Sequence, residues 1–545
     1  MNAARALWSA LHKEIGGVHE AAYLLALFTF GSQLLALVRD RIFAHLFGAG
    51  STLDVFYAAF RIPDTLYALV ASLVSVFVLI PFLEHAQSEG APAVRAFLSR
   101  TYTLFSVVLV GLSIVAYIAA APIIGVLYGS FSVAAQETLV QLMRILLVQP
   151  FLLGVSSLFA AYVQMRHRFV LYATAPILYN IGPIFGALVL YPYLGTQGLA
   201  WGVVIGAVLH LGVQTPFMIA EGMFPHLRMP VWCEVRRIIA VSVPRTIGLT
   251  MQQSVLLVFT ALAATMAAGT LSTFTFAWNL SSVPLALIGA SYSVAAFPVL
   301  ARLAAQGERR VFADVLLAAL RQVLLLGSLV TVGIVVLRVE FVRIVLQSGA
   351  FGVDAVRATS SLLAILALSL VAQAFVVLLT RACYAAGKTT VPIMINVTSA
   401  LVAVVGACVL VMCIGESCGL AWVPTPIQSI LSLGYAFVLS TIMNVALLLW
   451  YVSHSVVALD LRAVGRTMLD SGFAAVTAGL IMYGLQHVVM SYPLDAFLQG
   501  AFIGSVGVGV WFAVLLWIQN DDIGELKRVI TRLCRRDAVH PGQGD

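Results

Sequence analysis

Arg39, Asp40, Arg41, Asp54, Arg61 and Asp64 are ionisable side chains set close together in an otherwise apolar stretch of the chain. Guanidinium groups hold planar and tetrahedral oxyanions, phosphates above all, through paired N–H donors, and neighbouring carboxylates orient those donors or compete for them. Arg61 and Asp64 flank Pro63 in Phe60-Arg61-Ile62-Pro63-Asp64. Three residues apart, they could pair on one helix face. A proline beside an embedded cation points instead to a bent or broken helix lining a polar cavity, and the convergence of several charges favours the cavity. Arg39 and Arg41 could also snorkel from the end of an apolar run to an interface.

Around this cluster the chemistry is sparse. The 545 residues hold no H-E-x-x-H and no G-x-S-x-G, and the six cysteines form neither a C-x-x-C nor a Cys/His cluster. No metal site, cofactor or enzyme activity is expected. Cys413 and Cys418 could pair if the face they approach is oxidising. Ala382-Cys383-Tyr384-Ala385-Ala386-Gly387-Lys388-Thr389 nearly matches a phosphate-binding loop. It lacks the first glycine and follows an apolar helix rather than a strand, so it is not read as a nucleotide site. His210, alone in an apolar run, reads as a packing residue rather than a proton relay.

The elements that position the cluster follow from composition. Hydrophobic residues make up 61% of the chain and charged residues 10%, with a mean hydropathy of +1.02. A soluble domain carries roughly 25% charged residues, so a soluble fold is excluded. Apolar runs long enough to cross a bilayer fall at roughly 21–42, 55–83, 102–128, 138–165, 169–194, 198–220, 238–267, 272–301, 313–336, 358–386, 391–413, 426–453, 467–488 and 496–519. The ten-residue alternating segments of a β-barrel are missing. The expectation is an all-α polytopic membrane protein of about fourteen spans. The first run ends in Arg39-Asp40-Arg41 rather than small residues, and reads as a retained helix, not a cleaved signal.

Basic residues sort by side. Alternate connections collect most of the 30 Lys and Arg residues, while the opposite side holds Arg39, Arg41, Arg338, Arg343 and Arg357. Arg61, Arg144, Arg245 and Arg321 fall inside spans. The asymmetry places both termini in the cytoplasm and explains the net charge of +7 without nucleic acid. The tail 520–545 presents Leu526, Val529, Ile530 and Leu533 on one helical face among Lys527, Arg528, Arg532, Arg535 and Arg536, as expected of a segment lying on anionic lipid headgroups.

The sequence also repeats. Shifted by 218 positions, Thr52–Pro81 superposes on Thr270–Val299, with identities that include Thr52/Thr270, Leu53/Leu271, Phe56/Phe274 and Ala59/Ala277. Six spans per repeat relate two halves about an axis along the membrane normal, a common transporter plan. The domains expected are an interfacial segment 1–20, a six-helix lobe 21–220, a second pseudo-symmetric lobe 221–453, a helix pair 454–519 and the tail.

Leu37-Val38-Arg39-Asp40, Phe47-Gly48-Ala49-Gly50, Asp54 and Ala59-Phe60-Arg61-Ile62-Pro63 together resemble the opening of the MurJ/MviN family. Similar matches continue at Tyr179-Asn180-Ile181-Gly182, Gly198-Leu199-Ala200-Trp201-Gly202, Pro244-Arg245, Ser348-Gly349-Ala350-Phe351 and Tyr384-Ala385-x-x-Lys388-Thr389-x-x-Pro392. The resemblance implies a fourteen-helix fold of the MOP superfamily, with two lobes around a cationic cavity and two final helices forming a groove for a lipid tail. It further implies a flippase for lipid II, the undecaprenyl-diphosphate-linked peptidoglycan precursor, in the bacterial inner membrane, beside other cell-wall synthesis proteins.

Carried over, Arg39 matches a cavity arginine proposed to bind diphosphate, Asp54 a functional aspartate and Arg61 a basic position of the second helix. Asp40 and Asp64 would orient or release these cations, with Arg245 and Asn279 as further candidates at the substrate site. The chain departs from the family pattern at Gln33, Tyr67 and Asn279, where arginines are usual. The alternatives are another MOP transporter (a polysaccharide-precursor flippase or a cation-coupled multidrug exporter) and a non-transporting scaffold. Any coupling ion is left unidentified.

Overall fold

The computed structural model describes residues 18–71, 76–416, 425–489 and 496–518, and every regular element among them is helical. Eleven helices of the described residues are long and apolar enough to cross a membrane, or twelve if Val353–Leu368 and Leu370–Ala385, bent by 43°, form one span. These fall on the expected spans from the third onward. The other two of the fourteen expected spans fall on the helix Val18–Phe47 and on a stretch broken into Ser51–Ala59, Arg61–Ala71 and Val76–Ser88. Neither is among those twelve. The tail 520–545 and the Cys413–Cys418 pairing lie outside the described residues and side chains; Cys233, Cys383 and Cys408 are free thiols.

The break in the second expected span has a local cause. Pro63 has no N–H to offer the Ala59 carbonyl, so the helix Ser51–Ala59 stops and a new one begins at Arg61. The Asp64 N–H re-enters the ladder by donating to the Phe60 carbonyl at 2.9 Å, while the Thr65 hydroxyl donates to the Arg61 carbonyl at 2.6 Å. In the repeat, Ser281 stands where Pro63 does, and the helix Thr270–Leu285 passes that point unbroken.

The chain divides into two compact units. One comprises Met1–Phe276, Val345–Ala358 and Asn396–Ala436; the other comprises Ala277–Ile344, Thr359–Ile395 and Phe437–Asp545. Within the first, Phe97, Phe105, Leu158, Phe159, Leu171 and Phe217 belong to one buried apolar cluster. Beside it Phe169–Phe185 and Thr196–Gly212 pack backbone to backbone. A Cβ on Gly202 would lie 2.5 Å from the Gly186 Cα and 2.8 Å from the Gly182 carbonyl oxygen. Lipid tails offer no hydrophobic drive to associate helices, so such close approach of small residues supplies the packing.

Within the second unit, Leu300, Leu316, Leu320, Phe375, Leu379 and Leu448 build the core. A smaller cluster joins Leu325 to Ala474, Ala478, Trp511 and Leu515. Gly387 forms the turn (φ +73°) after the helix Leu370–Ala385. The near-match to a phosphate loop is therefore the C-terminal turn of a helix.

Candidate membrane-embedded anion site

The charged cluster assembles in the first unit around the helix Val18–Phe47. Its backbone brings Arg39 to the helix Phe169–Phe185, where Pro176 and Pro183 bracket Asn180. The Arg39 guanidinium donates from Nε (3.0 Å) and Nη2 (2.8 Å) to the same Asp40 carboxylate oxygen. Its Nη1 donates to the Asn180 side-chain oxygen at 3.2 Å. Asn180 in turn donates from Nδ2 to the Ser32 hydroxyl (3.3 Å) and to the Pro176 carbonyl (3.1 Å). The Asp40 side chain is 3% exposed and that of Arg39 21%, so the anion is sealed while the cation still reaches open space. An unpaired buried carboxylate would be costly, and the adjacent guanidinium is what makes this burial tolerable.

A second cation, Arg61, lies within electrostatic reach of the same Tyr57 phenol as this pair. Arg61 opens the helix that follows the Pro63 break, and its Nε–H is buried with no hydrogen-bond acceptor among the described residues. The Tyr57 hydroxyl, one helical turn earlier, is likewise buried and unsatisfied. That phenol lies within electrostatic reach of Arg39, Asp40 and Arg61, and Tyr179 within reach of Arg39, Asp64 and Tyr67. Asp64 is close enough to feel the Arg61 charge, yet no ion pair joins the two among the described residues. The helix breaks beside Arg61, as expected, and the one-face pair does not form among the described residues.

The neighbours are neutral donors and acceptors. The Tyr67 hydroxyl shares a 3.0 Å hydrogen bond with Ser157, and Gln149 Nε2 donates to the Tyr179 hydroxyl at 3.2 Å. Tyr67 occupies a position where the resembled family usually has arginine, so a hydroxyl replaces a charge there. His210 shares a 2.7 Å hydrogen bond with Ser156, whose hydroxyl also accepts from Gln214 at 2.7 Å. It is a satisfied packing residue, as expected.

Other expected site residues lie elsewhere. Asp54 does not join the arginines. Its two carboxylate oxygens accept the Gly269 N–H (2.6 Å) and the Ser272 N–H (2.7 Å), capping the helix Thr270–Leu285. Asn279 sits in the second unit, half-buried. Arg245 belongs to the helix Trp232–Ala264, and its side chain lies outside those described.

Sequence reasoning overlooked Asn180, Ser32 and Tyr57 as site residues. The signal available was a Tyr-Asn pair between two prolines in an apolar helix, where a buried amide needs partners.

The arrangement presents one guanidinium already held by a carboxylate, one whose Nε–H meets no acceptor among the described residues, and a rim of phenols and amides. It suits an anion that can exchange with Asp40 for Arg39 while engaging Arg61.

Lipid II flippase MurJ of Burkholderia cenocepacia is 26% identical over 403 residues, covering 72% of this chain and 78% of the relative. The probable lipid II flippase MurJ of Bdellovibrio bacteriovorus is 27% identical over 404 residues, covering 72% and 76%. Among solved structures, lipid II flippase MurJ in an inward closed conformation superposes with a TM-score of 0.75 at 19% identity, over 92% of this chain and all of that one. An inward-facing MATE multidrug transporter of the MOP superfamily superposes with a TM-score of 0.63 at 15% identity, over 77% and 94%. The structural likenesses establish the fold. The model of the lipid II flippase MurJ family matches residues 43–502, and the chain belongs to that family.

Proposed function

We propose that this chain is a flippase for lipid II, moving it across the bacterial inner membrane by alternating access without catalysing a reaction. Family membership supports the substrate class. The observation that carries the reading is the buried Arg61 Nε–H, which meets no acceptor among the described residues, near an Arg39 held by Asp40 and Asn180. A diphosphate needs two cations, and two arginines are available despite Gln33, Tyr67 and Asn279.

Asp40 acts as the resident counterion. With no substrate present it neutralises Arg39, keeping the buried cation stable. A diphosphate arriving at Arg61 displaces it from Arg39, and Asp40 reclaims the guanidinium as the substrate leaves. Asp64 sets the field at Arg61. In the same reading both termini are cytoplasmic, lobes 21–220 and 221–453 carry the alternation, and the helix pair 454–519 receives the lipid tail.

The test is replacement. In a bacterium depleted of its own lipid II flippase, expression of this chain should restore growth and cell shape. Correct membrane insertion at normal abundance without rescue would overturn the lipid II assignment.

A further inference from the structure

The connection between the helices Thr215–Ala220 and Trp232–Ala264 is irregular, yet it is pinned. Ser99 and Thr103, one turn apart on the helix Ala91–Ile118, accept the His226 N–H at 3.2 Å and the Arg228 N–H at 2.9 Å. One turn before Ser99, Arg95 Nη2 meets His226 Nε2 at 2.8 Å. Arginine can only donate, so Nε2 accepts, and the imidazole proton of this contact sits on Nδ1. Arg95, Ser99 and Thr103 thus form a stripe in register with alternate residues of an extended segment.

We propose that the open groove beside this stripe binds the phosphate of a lipid headgroup, with the apolar side chains of the connection seated in the same leaflet. The inference rests on the topology proposed above, which puts this face on the cytoplasmic side.

Three observations carry it. The groove has a volume of about 550 Å³, and Arg95, His226 and Arg228 line it with Pro92 and Ser99. Glu221 is its one acidic wall residue, and Arg166 neutralises it at 3.3 Å while the Tyr162 hydroxyl donates to it at 3.2 Å. The groove therefore presents an uncompensated positive charge to an anion.

The second observation is what flanks it. Leu227 is 78% exposed, Met229 87% and Trp232 76%, all within a few residues of Arg228. Large apolar side chains held outward beside arginines fit the boundary between headgroups and acyl chains, where tryptophan is enriched. A free phosphate would leave those side chains without a role; a lipid phosphate uses both.

The third is an adjoining hollow with two arginines and one carboxylate, Glu89, which lies 3.8 Å from His85. Arg237 lies 5.5 Å from the centre of the Phe82 ring, in this hollow with Arg100. Anionic lipid is drawn to such juxtamembrane arginines.

The experiment uses the purified full-length chain in detergent, titrated with phosphatidylglycerol and followed by native mass spectrometry. Arg228→Gln leaves the Arg95–His226 contact and the backbone hydrogen bond to Thr103 in place. Combined with Arg95→Gln it should weaken lipid binding roughly tenfold or more, while Arg310→Gln, elsewhere on the basic side, leaves binding unchanged. Binding by the double variant equal to wild type would overturn the proposal. Displacement of the lipid by inorganic phosphate would overturn the lipid assignment in favour of a free anion. In vesicles containing phosphatidylglycerol with brominated chains, the emission lost in Trp232→Phe should be the quenched component; an unquenched Trp232 would remove the leaflet contact. None of these readouts involves transport, so their failure is separable from failure of the flippase reading.

Discussion

The Ser272 amide donates a 2.7 Å hydrogen bond to the carboxylate of Asp54, 218 residues earlier, and 218 is the shift that superposes the two halves of the sequence. Equivalent positions of the repeat therefore touch. Asp54 sits in the first turn of Ser51–Ala59 and caps the first turn of Thr270–Leu285, so one negative charge serves two helix N-termini. The approach is close enough to require glycine. Gly269 has φ +88°, and a Cβ there would lie 2.5 Å from the Ala49 carbonyl oxygen.

Asp54→Ala should orphan two buried N–H groups and cost on the order of 2–4 kcal/mol of stability. The measurement is thermal unfolding of the purified protein in detergent, compared with Asp54→Asn, which keeps an acceptor and should lose less. A melting temperature unchanged in Asp54→Ala would show that the cap contributes nothing.

Arg39→Ala should abolish rescue of a flippase-depleted strain while the protein stays at normal membrane abundance. Arg39→Lys should rescue in part, because an ammonium keeps the charge and loses the planar fork. Arg166→Ala should be nearly silent, since its partly exposed pair with Glu221 contributes at most about 1 kcal/mol. Full rescue by Arg39→Ala would remove that residue from the site.

Asp40→Asn should raise affinity for a soluble polyprenyl-diphosphate analogue by roughly tenfold while reducing rescue, because the counterion that reclaims Arg39 is gone. Equilibrium binding to purified protein reads the first effect and growth the second. Weaker binding would contradict the role of Asp40 as a competitor.

Gly202→Val should sharply reduce folded protein in the membrane, as its side chain would be driven into the backbone of Gly186. Gly212→Ala, on the same helix with open space around it, should not. Equal abundance of the two variants would refute the close helix contact.

Topology is testable by cysteine labelling in a background lacking the six native cysteines. Gly349 is a poor reporter: φ is +53° and a Cβ would lie 2.6 Å from His45 Nδ1. Gly352 has no such restriction and is exposed. Gly352→Cys should be modified from outside the cell and Gln306→Cys spared; the reverse would invert the proposed orientation.

Composition and hydropathy alone determined that the chain is helical and membrane-embedded, because both follow from how much apolar surface each run of residues carries. Short motifs around Arg39, Arg61 and Tyr179 were enough to place it in its family. The Pro63 break was legible too, since a missing N–H acts within one turn. The partners of the charges were not. Arg39 reaches Asn180 across 141 residues of sequence, Asp54 turns from the arginines to a helix end, and the Arg61 Nε–H meets no acceptor among the described residues. Which polar atom meets which depends on helix rotation and crossing, set by contacts such as Gly202 on Gly186 that leave no trace in local hydropathy. Burial then decides which charges are neutralised and which remain for a ligand.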